Sequence, residues 1–304
     1  MWTACPARNL SLLAVLVFGG CSDRADKPKV WEDFSGEKAY EHVRRLVSFG
    51  PRPAGSRSLE DSRGYIMAQL SEAGWEVERQ AFTAETTRGR IEFVNLIARH
   101  KSLDKSRAQP SWLLASHYDT KLLDGIHFVG ANDAGSSTGL LLEFARVIGS
   151  SAGLAAKVQL VFFDGEEAFE TFSDTDGLYG SRYFAKQLAS LDRTKDFRGA
   201  IVFDMVGDKS LRITLPPDSP VELARGIFAS ADALKLRNYF TYFDRQITDD
   251  HTPLNAVGIP TIDIIDFDFV QWHTAGDNIE SISAESLRIV GTVALHFLSQ
   301  TASK

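Results

Sequence analysis

The stretch VQLVFFDGEEAF, residues 158–169, decides how the rest of the chain is read. Its first half is a short apolar run that reads as a buried strand. It ends in Asp164, Gly165 and two adjacent glutamates, Glu166 and Glu167. A strand that is apolar on both faces belongs to a sheet covered on both sides, and in such sheets ligands gather at the carboxyl ends of the strands. Two carboxylates at that place point to a site, provided that other strands deliver chemistry to the same edge.

Working outward, the same pattern recurs. Residues 111–119, 157–165, 198–207 and 259–267 read as near-continuous apolar strands. They are separated by amphipathic stretches at 136–149, 180–190 and 219–234, and followed by one at 283–299. Ser283 is placed to cap the last helix, with Glu285 in its first turn, where negative charge is favoured. Upstream, residues 37–50 and 58–75 predict two helices, closed by Gly50 and Gly74. Residues 76–86 and 91–100 predict strands, the first half-exposed by its alternation. Strands alternating with helices imply one α/β domain with a mostly parallel sheet covered on both faces.

Each strand releases polar residues where it ends. SHYDT (116–120) gives His117 and Asp119, and FVGANDAGSSTG (128–139) gives Asp133 just before a helix. The 158–169 stretch gives Glu166 and Glu167, and FDMVGD (203–208) gives Asp204 and Asp208. TDDHTP (248–253) gives Asp249, Asp250 and His251, and WHTAGDN (272–278) gives Trp272, His273 and Asp277. A donor set of nitrogen and oxygen without cysteine suits Zn²⁺ in an open, reactive site rather than a closed structural one.

The chain has 304 residues and a formal net charge of −7, so nothing recommends a nucleic acid partner. Residues 1–20 read as a leader: Arg8, the apolar run LSLLAVLVF, then GGC ending at Cys21. Small residues before a cysteine resemble the bacterial lipobox, with Phe18 at the position usually held by leucine. The expectation is a lipid on Cys21, a polar tether over 21–29 and a single catalytic domain over 30–304, in the periplasm and anchored to the outer membrane. Cys5 and Cys21 are the only cysteines. A processed chain therefore has no disulfide and relies on its core and on metal.

The motifs in order, with DTDGLYGSR (174–182) and DDHTPLNAVGIP (249–260), resemble the zinc aminopeptidase-like superfamily and, within it, the glutaminyl-peptide cyclotransferases. The resemblance covers the chain from about residue 38 onward. It implies a three-layer αβα fold with a mixed, mostly parallel central sheet, and as substrates peptides or proteins with a free N-terminal glutamine, cyclised to pyroglutamate with release of ammonia. It further implies one zinc held by Asp133, Glu167 and His273, with Glu166 moving the proton and Asp204 and Asp249 around the amino end and leaving group. Trp272, Phe269 and Phe172 would form the apolar pocket wall, in a monomeric enzyme. The alternative is a di-zinc aminopeptidase that adds His117 and Asp204 as ligands of a second metal, with Asp133 bridging. Phe172 stands where the cyclase pattern has tryptophan, and the small residues after Asp133 are more like the peptidases.

Overall fold

The computed structural model describes residues 1–4, 29–103 and 111–302. Cys5, Cys21 and the rest of the predicted leader and tether lie outside them. The elements are α1 (Gly36–Val47), α2 (Arg57–Glu72), β1 (Trp75–Thr86), β2 (Gly89–His100), β3 (Trp112–His117), α3 (Ser137–Gly149), α4 (Ala152–Ala155) and β4 (Val158–Phe163). After them come α5 (Tyr179–Ser190), β5 (Gly199–Asp204), β6 (Ile213–Leu215), α6 (Val221–Ala233), β7 (Phe240–Tyr242), α7 (His251–Ala256), β8 (Thr261–Ile265) and α8 (Ala284–Thr301).

Six strands form one sheet in the order β1-β2-β4-β3-β5-β8. β4, β3, β5 and β8 run parallel, while β1 and β2 are an antiparallel hairpin joined antiparallel to β4. The sheet is therefore mixed and mostly parallel, as expected. β3, β4 and β5 are buried at every position, which is why their sequences do not alternate. Their side chains do alternate between two cores. Leu114, Leu160, Phe162, Ile201 and Phe203 join α1, α3, α6 and α8 on one face. Leu113, Ala115, Val161, Phe163 and Val202 join α5 and α7 on the other. Full burial of a large apolar side chain such as Phe162 contributes roughly 1.5–3 kcal/mol over leaving it exposed.

The order of connections fixes where a site can form. β3 lies between β4 and β5; α3 connects β3 to β4 over one face, and α5 connects β4 to β5 over the other. This reversal opens a crevice beyond the carboxyl ends of the three strands. Ser283 caps α8 as predicted, accepting from the Ser286 amide at 3.1 Å. The short β6–β7 pair and α4 were not anticipated. Neither was α7, which turns part of the DDHTP stretch from a loop into a helix. Among the described residues no helix is long and apolar enough to cross a membrane.

Candidate active site

The strand ends deliver their side chains to one buried line. His117, at the last position of β3, sets Nε2 3.2 Å from Asp204 Oδ1 at the end of β5 and 3.3 Å from Asp133 Oδ1. The other oxygen of Asp133 lies 3.4 Å from His273 Nε2, and His273 Nε2 lies 3.2 Å from Glu167 Oε1. Asp133 is thus central, with one oxygen turned to each histidine. Two ligand triads result, Asp133–Glu167–His273 and His117–Asp133–Asp204, and they share Asp133.

Local chain chemistry sets each member. After β4 the backbone turns at Gly165, whose φ of +69° is open to glycine. A Cβ there would also meet the Phe93 ring at 2.4 Å. Asp164, at the head of the turn, accepts from the Val94 amide at 2.7 Å and from Arg63 at 2.8 Å in a buried ion pair. Burial first, then Asp119, push the Asp164 pKa up to about 7, against the pull of Arg63. The carboxylate of Asp119 takes the next two amides, Glu166 N at 3.2 Å and Glu167 N at 3.3 Å. One carboxylate thus fixes the backbone of both glutamates.

The Asp133 loop is clamped from both sides. Arg52 is almost wholly buried and donates to the carbonyls of Val129 at 2.8 Å and Gly130 at 3.2 Å. Gly130 has φ +50°, and a Cβ on it would sit 1.8 Å from the Asp133 carbonyl oxygen. Asp277 receives the Asn132 amide at 2.6 Å and the Asp133 amide at 3.0 Å. Asp277 is therefore a backbone clamp, although the sequence offers it as one more strand-end acid. Asp208 is likewise away from the triads; it accepts from the Ser210 amide.

The electrostatics ask for positive charge at the triads. Burial opposes a charged His273, but hydrogen bonds with Asp133 and Glu167 outweigh it and push the pKa up to about 10. Burial would raise Asp133, yet His117 and His273 outweigh it and hold the carboxyl well below its usual range. Glu167 Oε2 has no hydrogen-bond partner, and Lys121 Nζ approaches it only to 3.7 Å. Nitrogen-to-oxygen spacings of 3.2–3.4 Å are those of ligands around an ion with bonds of roughly 2.0–2.2 Å. The donor set fits a zinc ion.

A cleft of about 200 Å³ opens onto the triads. Glu166, Asp204 and Asp249 line it beside Asp133, Glu167 and His273, and so do Trp272 and Phe172. Trp272 stacks on the His273 ring with centroids 4.2 Å apart. Phe269 does not line the cleft. It turns into a small core with Met205, Ile247 and Ile265, and supports the wall from behind. Met205, Ile247 and Ile265 themselves reach the cleft, with Phe267, and were not foreseen as wall residues. Burial pushes Glu166 well above the usual carboxylate range, with His117 pulling it down and Glu167, Asp249 and Asp250 pushing it up. Asp249 also joins a second buried cluster with His251 and Asp263.

Against this geometry, residues 95–298 match the model of peptidase family M28. The chain is 31% identical over 295 residues to a glutaminyl-peptide cyclotransferase of Bothrops jararaca, covering 84% of this chain and 78% of the relative. It belongs to the glutaminyl-peptide cyclotransferases of peptidase family M28. The crystal structure of an Acidobacteriales bacterium glutaminyl cyclase superposes on this family member with a TM-score of 0.79 at 30% identity, covering 98% of both chains. A Zn-dependent exopeptidase from Parabacteroides distasonis also shares the fold, with TM-score 0.78 at 27% identity, over 88% of this chain and 98% of that one.

Proposed function

We propose that the protein is a zinc-dependent glutaminyl-peptide cyclotransferase, converting the N-terminal glutamine of peptides to pyroglutamate with release of ammonia. The observation that carries the reading is the pair of buried acids, Glu166 and Asp249, that share the cleft with the ligand triad. The nearby Lys121 pairs with Glu167 at 3.7 Å rather than with either of them, and Asp249 Oδ2 is buried without a hydrogen-bond partner. Both line the cleft, where they can meet the α-ammonium of a substrate. Relatives aligned over most of their length carry that activity in their names, which supports the assignment.

Asp133, Glu167 and His273 would hold one zinc. When bound it supplies Lewis acidity to the side-chain amide carbonyl and charge for the oxygen that develops there. The nucleophile and electrophile belong to the same residue, so holding one rotamer of glutamine achieves most of the orientation. Glu166 takes a proton from the α-amine as its nitrogen bonds to the side-chain carbonyl carbon, and returns one to the departing ammonia. Asp249 and Asp204 hold the amino end. Trp272, Phe172 and Phe267 form the apolar wall and keep water from the reacting carbon.

A second reading is favoured by one feature, the His117–Asp133–Asp204 triad, which could hold a second ion as in an aminopeptidase. A paired assay on Gln-Ala and Leu-Ala peptides separates the two. The expected outcome is a mass loss of ammonia from Gln-Ala and no free leucine from Leu-Ala. Free leucine without ammonia release above the uncatalysed background would replace the cyclase with the peptidase.

We further propose that Cys21 carries lipid and that the domain sits at the periplasmic face of the outer membrane. The support is the GGC motif after the apolar run. Replacing Cys21 with Ala should move the protein from the membrane fraction to the soluble periplasm, or leave an unprocessed precursor. Mass spectrometry showing an unmodified mature N-terminus cut elsewhere would remove this placement.

A further inference from the structure

A second depression adjoins the cleft. Phe172 and Thr248 line both the cleft and a larger groove of about 670 Å³. The floor of the groove is largely apolar, with Ala185 and Ala189 of α5 and Pro253 and Ala256 of α7 beside the larger Leu178 and Val257. Ala189 and Ala256 are exposed. At the rim, Arg182 donates to the carbonyls of Ser173 at 2.5 Å and Asp174 at 2.6 Å, which ties down the loop that carries Phe172. Lys186 also lines the groove, is exposed, and makes no ion pair among the described residues.

We propose that this groove holds the residues that follow glutamine in a peptide substrate. The assignment rests on the cyclase reading. A glutamine seated at the triads leaves the rest of its chain to exit the cleft, and the cleft and groove meet at Phe172 and Thr248. An extended peptide advances roughly 3.3 Å per residue, so the residues after glutamine pass Phe172 and Thr248 and run on over the floor between α5 and α7. The alanines leave room for side chains of many kinds, and the apolar lining favours apolar ones. The free ammonium of Lys186 adds a preference for an acidic residue.

The test is a length series, Gln-Ala extended by alanine to a hexapeptide, read by ammonia release. In the unaltered protein kcat/KM should rise several-fold from the dipeptide and then level off. Ala189→Trp and Ala256→Trp, both at exposed positions, should flatten the series while the Gln-Ala rate stays unchanged. That unchanged rate also shows that the variants fold. Lys186→Glu should reverse the choice between Gln-Ala-Ala-Glu and Gln-Ala-Ala-Lys, by about two- to fivefold at low salt for an exposed charge. A flat series in the unaltered protein, with ammonia released throughout, overturns the groove alone. So does a series that stays equally steep in both tryptophan variants. Ammonia from none of the peptides overturns the reaction, and the groove assignment falls with it.

Discussion

Glu166→Gln should lower kcat for Gln-Ala cyclisation by about two to four orders of magnitude, the usual contribution of a positioned proton carrier, and leave metal content per chain unchanged. The substitution keeps size and one acceptor oxygen but removes the group that accepts the amine proton. Glu166 is not part of either ligand triad, and its backbone amide stays on Asp119. Ion binding is therefore expected to survive. The two readouts are kcat and metal per chain by elemental analysis. A near-normal kcat would remove Glu166 from proton transfer, and loss of metal would show that it belongs to the ion.

Glu167→Ala should give the opposite signature, a fall in bound zinc together with activity at or near background. Glu167 is a member of the Asp133–Glu167–His273 triad, and its Oε2 is buried without a hydrogen-bond partner. Truncation removes a charged donor from a three-residue set, and His273 loses the oxygen 3.2 Å from its Nε2. Zinc per chain, measured after dialysis against a weak chelator, is expected to fall well below that of the unaltered protein. Full occupancy would contradict the assignment of this triad, whatever the activity. A stoichiometry of two in the unaltered protein would instead bring His117 and Asp204 into the metal shell.

These contrasting outcomes depend on residues that were legible in the sequence for a simple reason. A carboxylate placed at the end of an apolar run stays at the end of the strand that the run forms. His117, Glu166, Glu167 and Asp204 needed only that local logic, and the sheet collected them. The clamps were not legible, because their partners are far away along the chain: Arg52 bonds the Gly130 carbonyl and Asp277 bonds the amides of Asn132 and Asp133. Sequence shows an arginine in a proline-containing loop and an aspartate near a histidine, and gives no sign of what they grip. β6 and β7 are three residues each, too short for a period-two pattern to stand out. Phe269 misled because nearness to Trp272 in the chain says nothing about which way a ring turns. In the fold it faces Met205 and Ile265.

Asp119 has a mechanical consequence. One carboxylate holds the amides of both Glu166 and Glu167, so the residue that grips the ion and the residue that carries the proton are coupled as on a single rocker. An ion of larger radius at the triad, Cd²⁺ in place of Zn²⁺ for example, would shift Glu167 outward, and the shared grip would carry Glu166 along with it. The rate would then track ionic radius as well as Lewis acidity. Asp119→Asn removes the charge and replaces one of the two acceptor oxygens with an NH2 donor, so only one of the two amides stays held, and the correlation should loosen.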